Sequence, residues 1–213
     1  YIQYGAISSR GISSYVDPRT ELQSYFGRAV FNYQDKYLLT GTFRADGSNK
    51  FGKNNKYGYF PAFAAAWNIT RENFFKIEQI NSLKLRVGWG KTGNQEFPSG
   101  SAVARIGFGS NGNLSGQINY DNPDLKWQSD RQYNIGIDFS IFNSSITGTM
   151  DYFSKTTTNL LFPSPPIQPA PPGSTVRWIN LDGEIINKGL EILVNGTITR
   201  KEKFSWDISV NAT

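Results

Sequence analysis

Hydrophobic and polar side chains alternate along most of this chain with a period of two residues. The clearest segments are residues 132–141 and 204–213, in which every second residue is large and apolar while the residues between them are polar or small. This period is that of a β-strand with one apolar face. The residues assigned to that face are Tyr133, Ile135, Ile137, Phe139, Trp206, Ile208 and Val210. Weaker versions of the pattern predict about eight strands in all, at residues 25–33, 37–46, 60–69, 83–92, 132–141, 145–155, 189–199 and 204–213.

The length and the two faces of these strands indicate a membrane barrel. Strands of globular proteins average about 5–6 residues, whereas a tilted strand that crosses a membrane needs about 9–11. One face is almost free of charge, and the other mixes Lys, Arg, Asp, Glu and Asn with small residues. This combination is typical of an all-β, antiparallel transmembrane β-barrel, with lipid on the apolar face and a wet or plugged lumen on the other. The apolar residues named above are therefore predicted to form a belt in contact with outer-membrane lipid.

The connections between the predicted strands alternate between short and long. Short turns are predicted at residues 34–36, 142–144 and 199–203, and residues 70–81 form a longer link on the same side. Long loops are predicted at residues 47–58, 93–130 and 156–187. Bacterial outer-membrane barrels have this organisation, with short periplasmic turns and long extracellular loops. Residues 1–24 are predicted to end a preceding extracellular loop and strand, and residues 25–213 to form the barrel segment.

Composition excludes several classes of function. The 213 residues contain no Cys and no His, which excludes disulfides, thiolate or imidazole metal sites and Ser–His catalysis. The formal net charge of +5 is too small to indicate a nucleic-acid partner. No catalytic residue, metal site or cofactor is predicted, and the chain is not expected to be an enzyme.

Two features predict that the chain is part of a larger barrel. It has no N-terminal signal peptide, and the alternating pattern continues to Thr213. Two other folds stay open at this point. A soluble carbohydrate-binding β-sandwich would bring the apolar faces together in a core, and a small barrel of eight strands, passive or enzymatic, would pair its first strand with its last.

Specific words of the sequence resemble those of a known family. Residues 44–52 read R-A-D-G-S-N-K-F-G and residues 54–61 read N-N-K-Y-G-Y-F-P, which resembles the signature of SusC/RagA-type TonB-dependent transporters of the Bacteroidetes outer membrane. The words L-K-L-R-V-G-W-G at residues 83–90, N-P-D-L-K-W at residues 122–127 and N-K-G-L-E at residues 187–191 are also similar to that family. The resemblance extends from about residue 25 to the end of the chain.

The resemblance carries several implications. It implies the C-terminal part of a 22-stranded barrel in the outer membrane of a Gram-negative cell. A SusD-like surface lipoprotein would be the partner, and TonB would act through an N-terminal part that lies outside this sequence. The cargo implied is a glycan or a peptide.

Five residues are candidate contacts to substrate or lid. Arg44, Asp46 and Lys50 surround a tight turn at a long-loop end, where the alternative is a loop anchor in which Asp46 pairs with a nearby cation. Trp127 and Trp178 could stack on a sugar, or they could dock their loops onto the barrel rim. Charged residues of the polar face are expected to pair with one another or with a plug, and these are Arg28, Lys84, Arg86, Asp138, Asp151, Glu191 and Asp207.

Overall fold

The computed structural model describes residues 19–108, 114–165, 176–201 and 204–213. They form strands and one short 3-10 helix, Ile69–Arg71, which follows the third strand. The strands are β1 Leu22–Tyr33, β2 Tyr37–Ser48, β3 Tyr57–Asn68, β4 Ile80–Asn94, β5 Arg105–Phe108, β6 Leu114–Asn119, β7 Gln128–Ile141, β8 Ile146–Ser164, β9 Arg177–Lys201 and β10 Phe204–Ala212. In these ranges no helix has the length and apolar character needed to span a membrane.

Eight strands form one antiparallel sheet in the order β1-β2-β3-β4-β7-β8-β9-β10, while β5 and β6 form a separate hairpin. Each strand of the large sheet pairs with its neighbour in this order. Strands β1 and β10 are the two open edges of the sheet and do not pair with each other. The alternative of a closed eight-stranded barrel is therefore wrong, and the prediction of a partial barrel with eight strands is confirmed.

The pairing register places apolar residues of successive strands side by side. One row crosses seven strands and contains Phe31, Leu39, Ala65, Val87, Ile135, Tyr152 and Leu190. Because side chains alternate between the two faces of a strand, this register joins the apolar faces into one continuous surface. Large apolar side chains on this surface are exposed rather than packed in a core, so the sandwich alternative is wrong for the part of the chain that the structure describes.

The seven residues assigned to the apolar belt all lie on this surface. Six of them have exposed fractions between 40% for Ile137 and 59% for Val210. Phe139 is half-buried because its ring covers Gly148 on the neighbouring strand. A Cβ on Gly148 would lie 2.5 Å from Phe139 Cζ, so the ring occupies the space that a side chain would need.

The sheet extends further than the amphipathic pattern predicts. Residues 156–187 were expected to form a loop, but β8 and β9 remain paired through Thr156 and Ile186 up to Ser164 and Arg177. Backbone hydrogen bonds can continue the pairing of two strands beyond the region where one face has to contact lipid. The alternation of apolar and polar residues therefore underestimates the length of the strands. The loop predicted at residues 93–130 similarly contains the β5–β6 hairpin and the ends of β4 and β7.

Other predicted boundaries also differ from the structure. Strand β1 begins at Leu22 rather than at residue 25, and residues 1–18 lie outside the described residues. The loop predicted at residues 47–58 is shorter, because β2 ends at Ser48 and β3 begins at Tyr57. The turn predicted at residues 199–203 lies partly in β9, which ends at Lys201, and residues 202–203 are not described.

Two hairpins at the short-turn end use left-handed backbone. Gln34 and Asp35 both have φ of 52°, and Lys36 N donates to Tyr33 O at 3.0 Å. Phe142, Asn143 and Ser144 have φ values of 53°, 54° and 62°. Positive φ at the central residues gives a turn whose twist matches that of the flanking strands, so these connections hold their hairpins in register.

Glu72 organises the third connection at the short-turn end. Its carboxylate accepts hydrogen bonds from Tyr37 Oη at 2.6 Å, from Trp67 Nε1 at 3.1 Å and from Lys36 Nζ at 3.2 Å. The Tyr37 hydroxyl is the largest influence and the Trp67 indole the next, and together with Lys36 they hold the pKa of Glu72 below its usual value. This one side chain thus ties the link that follows β3 to the β1–β2 hairpin.

Candidate functional site

The buried apolar residues of the described chain gather at the long-loop end of the sheet. We call this set the rim cluster, and it consists of Phe51, Phe60, Phe97, Ala102, Leu125 and Trp127, with Leu161 and Trp178 packed against it. Leu125 is completely buried. The ring centroids of Phe51 and Trp127 are 4.5 Å apart, and those of Phe51 and Phe97 are 5.2 Å apart. Aromatic contacts at these distances give a loop region a core of its own.

Hydrogen bonds join residues 49–56 to residues 122–127, and we call this contact the interlock. The two segments contribute Phe51, Leu125 and Trp127 to the rim cluster. Gly52 N donates to Leu125 O at 3.0 Å, and Asn54 N donates to Pro123 O at 3.2 Å. Asn54 Nδ2 adds a hydrogen bond to Asp124 Oδ1 at 2.8 Å. Residues 49–56 join the end of R-A-D-G-S-N-K-F-G to the start of N-N-K-Y-G-Y-F-P, and residues 122–127 are N-P-D-L-K-W. Segments that were recognised separately in the sequence are therefore in contact in the structure.

Gly52 is required for this interlock because the two backbones approach closely. A Cβ at this position would lie 2.6 Å from Asn122 O and closer still to the carbonyl group of Pro123. These are backbone atoms, so no side-chain rotation could relieve the contact. The glycine is present for its size, since it does not have positive φ.

Asn180 fastens the same segment to the β8–β9 hairpin. Its Oδ1 accepts from Lys126 N at 2.9 Å, and its Nδ2 donates to Lys126 O at 2.8 Å and to Asn159 O at 3.0 Å. Asn159 has φ of 53° and stands at a register shift in β8. Asn122 Nδ2 donates to Trp178 O at 2.8 Å. Three parts of the chain are therefore joined at the rim.

Arg44, Asp46 and Lys50 occupy different positions with respect to this cluster. Arg44 Nε contacts Asp46 Oδ1 at 2.7 Å, and Asp46 is buried with an exposed fraction of 5%, whereas the Arg44 side chain is 53% exposed. Lys50 Nζ donates to Gln95 O at 3.1 Å and lies 5.3 Å from the centre of the Phe97 ring. Asp46 is thus held inside the protein, Lys50 is half-buried beside Phe97, and the Arg44 side chain is partly exposed to solvent.

The two tryptophans contact different phenylalanine rings of the rim cluster. Trp127 has an exposed fraction of 7%, packs against Phe60 at 5.5 Å and donates from Nε1 to Lys56 O at 3.1 Å. Trp178 is partly buried, with its ring centroid 5.6 Å from that of Phe97. Both rings pack within the loop region, and Trp127 has no face free for stacking on a ligand.

A recess of about 240 Å³ lies on the polar face of the sheet beneath these loops. Its lining includes Arg44, Asp46, Phe60, Thr92, Asn94 and Gln95. Gln95 Oε1 is buried there without a hydrogen-bond partner in the described part of the chain. The recess therefore presents a cation, amides and a hydroxyl beside an aromatic ring, which suits a polar, hydrogen-bonding ligand better than an apolar one.

Further along the polar face, Arg86 joins two carboxylates on neighbouring strands. Its Nη2 lies 2.7 Å from Asp138 Oδ1 and 3.0 Å from Asp151 Oδ1. Gly136 makes room for this network, since a Cβ there would lie 2.8 Å from Arg86 Nη2 and would overlap the carboxylate of Asp151. The expected pairing among charged residues of this face is confirmed for these three.

The sequence did not identify several residues that build the site. Asn180 and Phe97 lie outside any recognisable pattern. The segment at residues 122–127 was singled out by its turn residues, but its contact with residues 49–56 was not predicted. Gly52 carried a usable signal, because a glycine in a loop rich in turn-forming residues indicates either positive φ or close backbone approach.

Comparisons with known proteins cover the whole chain. The profile of the family described as TonB dependent receptor-like, beta-barrel matches residues 1–213. A TonB-dependent receptor P3 of Formosa agariphila is 36% identical over 99% of this chain, and the TonB-dependent receptor SusC of Bacteroides thetaiotaomicron is 35% identical over 92% of it. The chain spans about a fifth of the length of these relatives, 21% and 20% respectively.

Solved structures agree on the fold. The structure of the RagAB peptide transporter matches 90% of this chain, and the chain covers 21% of it, with a TM-score of 0.79 and 23% identity. The siderophore receptor PirA of Pseudomonas aeruginosa matches 90% of this chain, which covers 31% of it, with a TM-score of 0.56 and 15% identity. At these identities the likeness concerns the barrel architecture.

Proposed function

Because the chain belongs to the family of TonB-dependent receptor-like β-barrels, we propose that it is part of an outer-membrane importer for glycans or peptides. In this proposal a SusD-like surface lipoprotein covers the barrel, and energy reaches it through TonB. The chain itself is an outer-membrane β-barrel segment, and the family consists of transporters rather than enzymes.

The observation that carries the proposal is the difference between the two faces of one continuous sheet. The apolar face leaves side chains such as Tyr133, Ile135 and Val210 about half exposed. A surface of this size is stable in contact with lipid and would cause aggregation in water. The opposite face carries Arg86 with its two carboxylates, which suits a lumen that holds water, a plug and a passing polar cargo.

The cargo and lid contacts are proposed at the long-loop rim. Arg44 is half exposed beside the recess, and Lys50 and Trp178 border the rim cluster. We assign these three as contacts to cargo or lid, and we assign the buried Asp46 and Trp127 to holding the loops in position. A guanidinium with neighbouring amides can bind the hydroxyls of a glycan or the carbonyls of a peptide, and the curated relatives include SusC while the solved ones include a peptide transporter.

The test uses the full-length receptor in its own cells, with a tag for purification. We expect a surface lipoprotein to copurify and uptake of labelled glycan or peptide to stop when TonB is deleted. Uptake that continues without TonB, or a receptor purified with no lipoprotein, would contradict the proposal.

The contribution of the rim is tested with Arg44→Gln and the matched variant Lys84→Gln. Lys84 lies on the same face, on β4, eight positions from Thr92 of the recess, which is about 27 Å along an extended strand. Loss of a charge-assisted hydrogen bond is worth roughly tenfold or more in affinity, so R44Q should raise the half-saturating cargo concentration about tenfold while K84Q leaves it unchanged. Arg44→Lys keeps a cation beside Asp46 and separates loss of cargo contact from loss of the Asp46 ion pair. Equal uptake by R44Q and the wild type would remove Arg44 from the proposal.

A further inference from the structure

Two cations face each other on the apolar side of the sheet. Lys91 on β4 pairs in register with Arg131 on β7, and the next pair towards the membrane centre is Trp89 with Tyr133. Because residues two apart share a face, both cations lie on the same surface as these aromatic rings. Arg131 is exposed and Lys91 is half-buried.

Among the described residues, neither Lys91 nor Arg131 forms an ion pair with a carboxylate. Like charges directly opposite each other destabilise a sheet. The ion pairs of this region lie on the polar face, where Lys155 pairs with Asp130. The register places Thr156 beside Arg131 on β8, and the next pair outward is Gly93 with Ser129. An anion that is not part of this segment would remove the repulsion.

A groove of about 530 Å³ lies on the same face, immediately below the cations. Its upper border is an aromatic row, with ring centroids 5.9 Å apart for Phe63 and Trp89 and 6.4 Å apart for Trp89 and Tyr133. Its floor is low because Gly41 and Ala65 are small, and large apolar side chains surround them. The lining residues that reach this face include Leu39, Gly41, Ala65, Val87 and Ile135.

The height of the cations corresponds to the headgroup level of the outer leaflet. On β7 the apolar positions extend from Ile141 to Tyr133, which is about 27 Å along the strand. A strand tilt of about 35–45° reduces this to roughly 20 Å, close to the apolar band of about 25 Å in such barrels. Lys91 and Arg131 follow one step beyond the aromatic row, at the long-loop end, which is extracellular in outer-membrane barrels.

We propose that Lys91 and Arg131 bind a phosphate of a phosphorylated glycolipid in the outer leaflet, with one acyl chain of that lipid in the groove. Charge complementarity selects this occupant, because the two cations have no ion-pair partner in the part of the chain that the structure describes and the groove is apolar. Lysine and arginine near a membrane surface each strengthen attraction to anionic lipid. The inference rests on the outer-membrane barrel alone, so it can fail or hold independently of the proposed transport.

The test measures lipid binding to the purified full-length receptor in mild detergent. The probes are diphosphorylated lipid A and the same lipid after enzymatic removal of its phosphates, and binding is counted by native mass spectrometry. We expect wild type to bind the phosphorylated form preferentially. The double variant K91Q/R131Q should lose about 25-fold in affinity, from about fivefold for each cation. The matched variant K84Q/R28Q removes the same charge from the polar face and should bind like the wild type.

A second variant tests the groove. Ala65→Phe fills its floor and should weaken binding of both lipid forms without changing the preference for phosphate. Equal binding of the two lipid forms to the wild type would overturn the proposal, as would unchanged binding by K91Q/R131Q. A receptor dimer that carries no lipid and is lost in the A65F variant would also overturn it, because a second barrel would then be the occupant. If the double variant fails to assemble, the single R131Q variant and the salt dependence of wild-type binding decide the question.

Discussion

The interlock at the rim gives a sharp prediction for Gly52→Ala. The added methyl group would meet the backbone of Asn122 and Pro123, with 2.6 Å to Asn122 O. The two segments must then separate. Residue 52 would keep an ordinary backbone conformation, since it lacks positive φ. The effect therefore comes from the neighbouring chain alone.

The magnitude follows from the hydrogen bonds that the separation would break. Two are between backbone atoms, from Gly52 N to Leu125 O and from Asn54 N to Pro123 O. Two more join Asn54 Nδ2 and Asn55 Nδ2 to Asp124. Each contributes about 0.5–1.5 kcal/mol, and replacing Gly by Ala returns about 0.4–1 kcal/mol through the unfolded chain. The free energy of opening the rim should fall by about 3 kcal/mol, which corresponds to roughly 150-fold faster amide exchange.

The assay is hydrogen exchange of the full-length receptor, followed in peptides that cover residues 49–56 and 122–127. Exchange should rise in both segments, while the paired strands remain protected because the sheet does not depend on the interlock. Gly27→Ala is the matched control, since a Cβ there would have no neighbour within 4 Å. Unchanged exchange in G52A, or faster exchange throughout the barrel, would refute the reasoning.

Three further predictions follow from single contacts. Because hydrogen bonds lower the pKa of Glu72 from its ordinary value of 4.5, the stabilisation that its carboxylate provides is complete above that pH and is lost as the pH falls through the lower folded-state pKa. Acid unfolding followed by tryptophan fluorescence should show this loss of stability in the wild type and not in Glu72→Gln. Gly136→Ala should displace Asp151 from Arg86 and lower the free energy of unfolding, measured by thermal unfolding, by about 1 kcal/mol; the value is modest because these side chains are about a quarter to a third exposed. Gly196→Ala, where a Cβ would have no neighbour within 4 Å, should leave that free energy unchanged. Asn180→Ala removes three hydrogen bonds and should speed protease cleavage of the rim loops on the order of tenfold or more, whereas Asn187→Ala, exposed on the same strand, should leave the cleavage rate unchanged.

The sheet could be predicted from the sequence because its signal is local. Each strand is marked by the alternation of apolar and polar residues, and each tight turn lies between the ends of two alternating segments. The assignment of Ile135 and Val210 to the exposed apolar face needed only their parity within a strand. Where a strand has no apolar face, alternation gives no signal and the strand is not predicted. The pairing of Ser164 with Arg177 was missed for this reason.

The rim depended on information that no local pattern contains. Asn54 and Asp124 are 70 positions apart, and Lys126 and Asn180 are 54 apart. Turn-forming residues mark both ends of such contacts but do not say which loops meet. The burial of Trp127 followed from that meeting, so the sequence could place Trp127 at the rim without deciding whether it contacts a ligand or supports the loops.

The alternation of side chains by itself determined where most of the strands lie and which residues form their two faces, because a period of two is a property of consecutive residues. Only the tertiary structure decided which strands are neighbours, in what register they pair, and that β1 and β10 are open edges. That register sets Lys91 opposite Arg131, places Gly136 under an ion pair and brings Gly52 against Pro123. Such contacts depend on distances between remote parts of the chain, and those distances exist only once the sheet has formed.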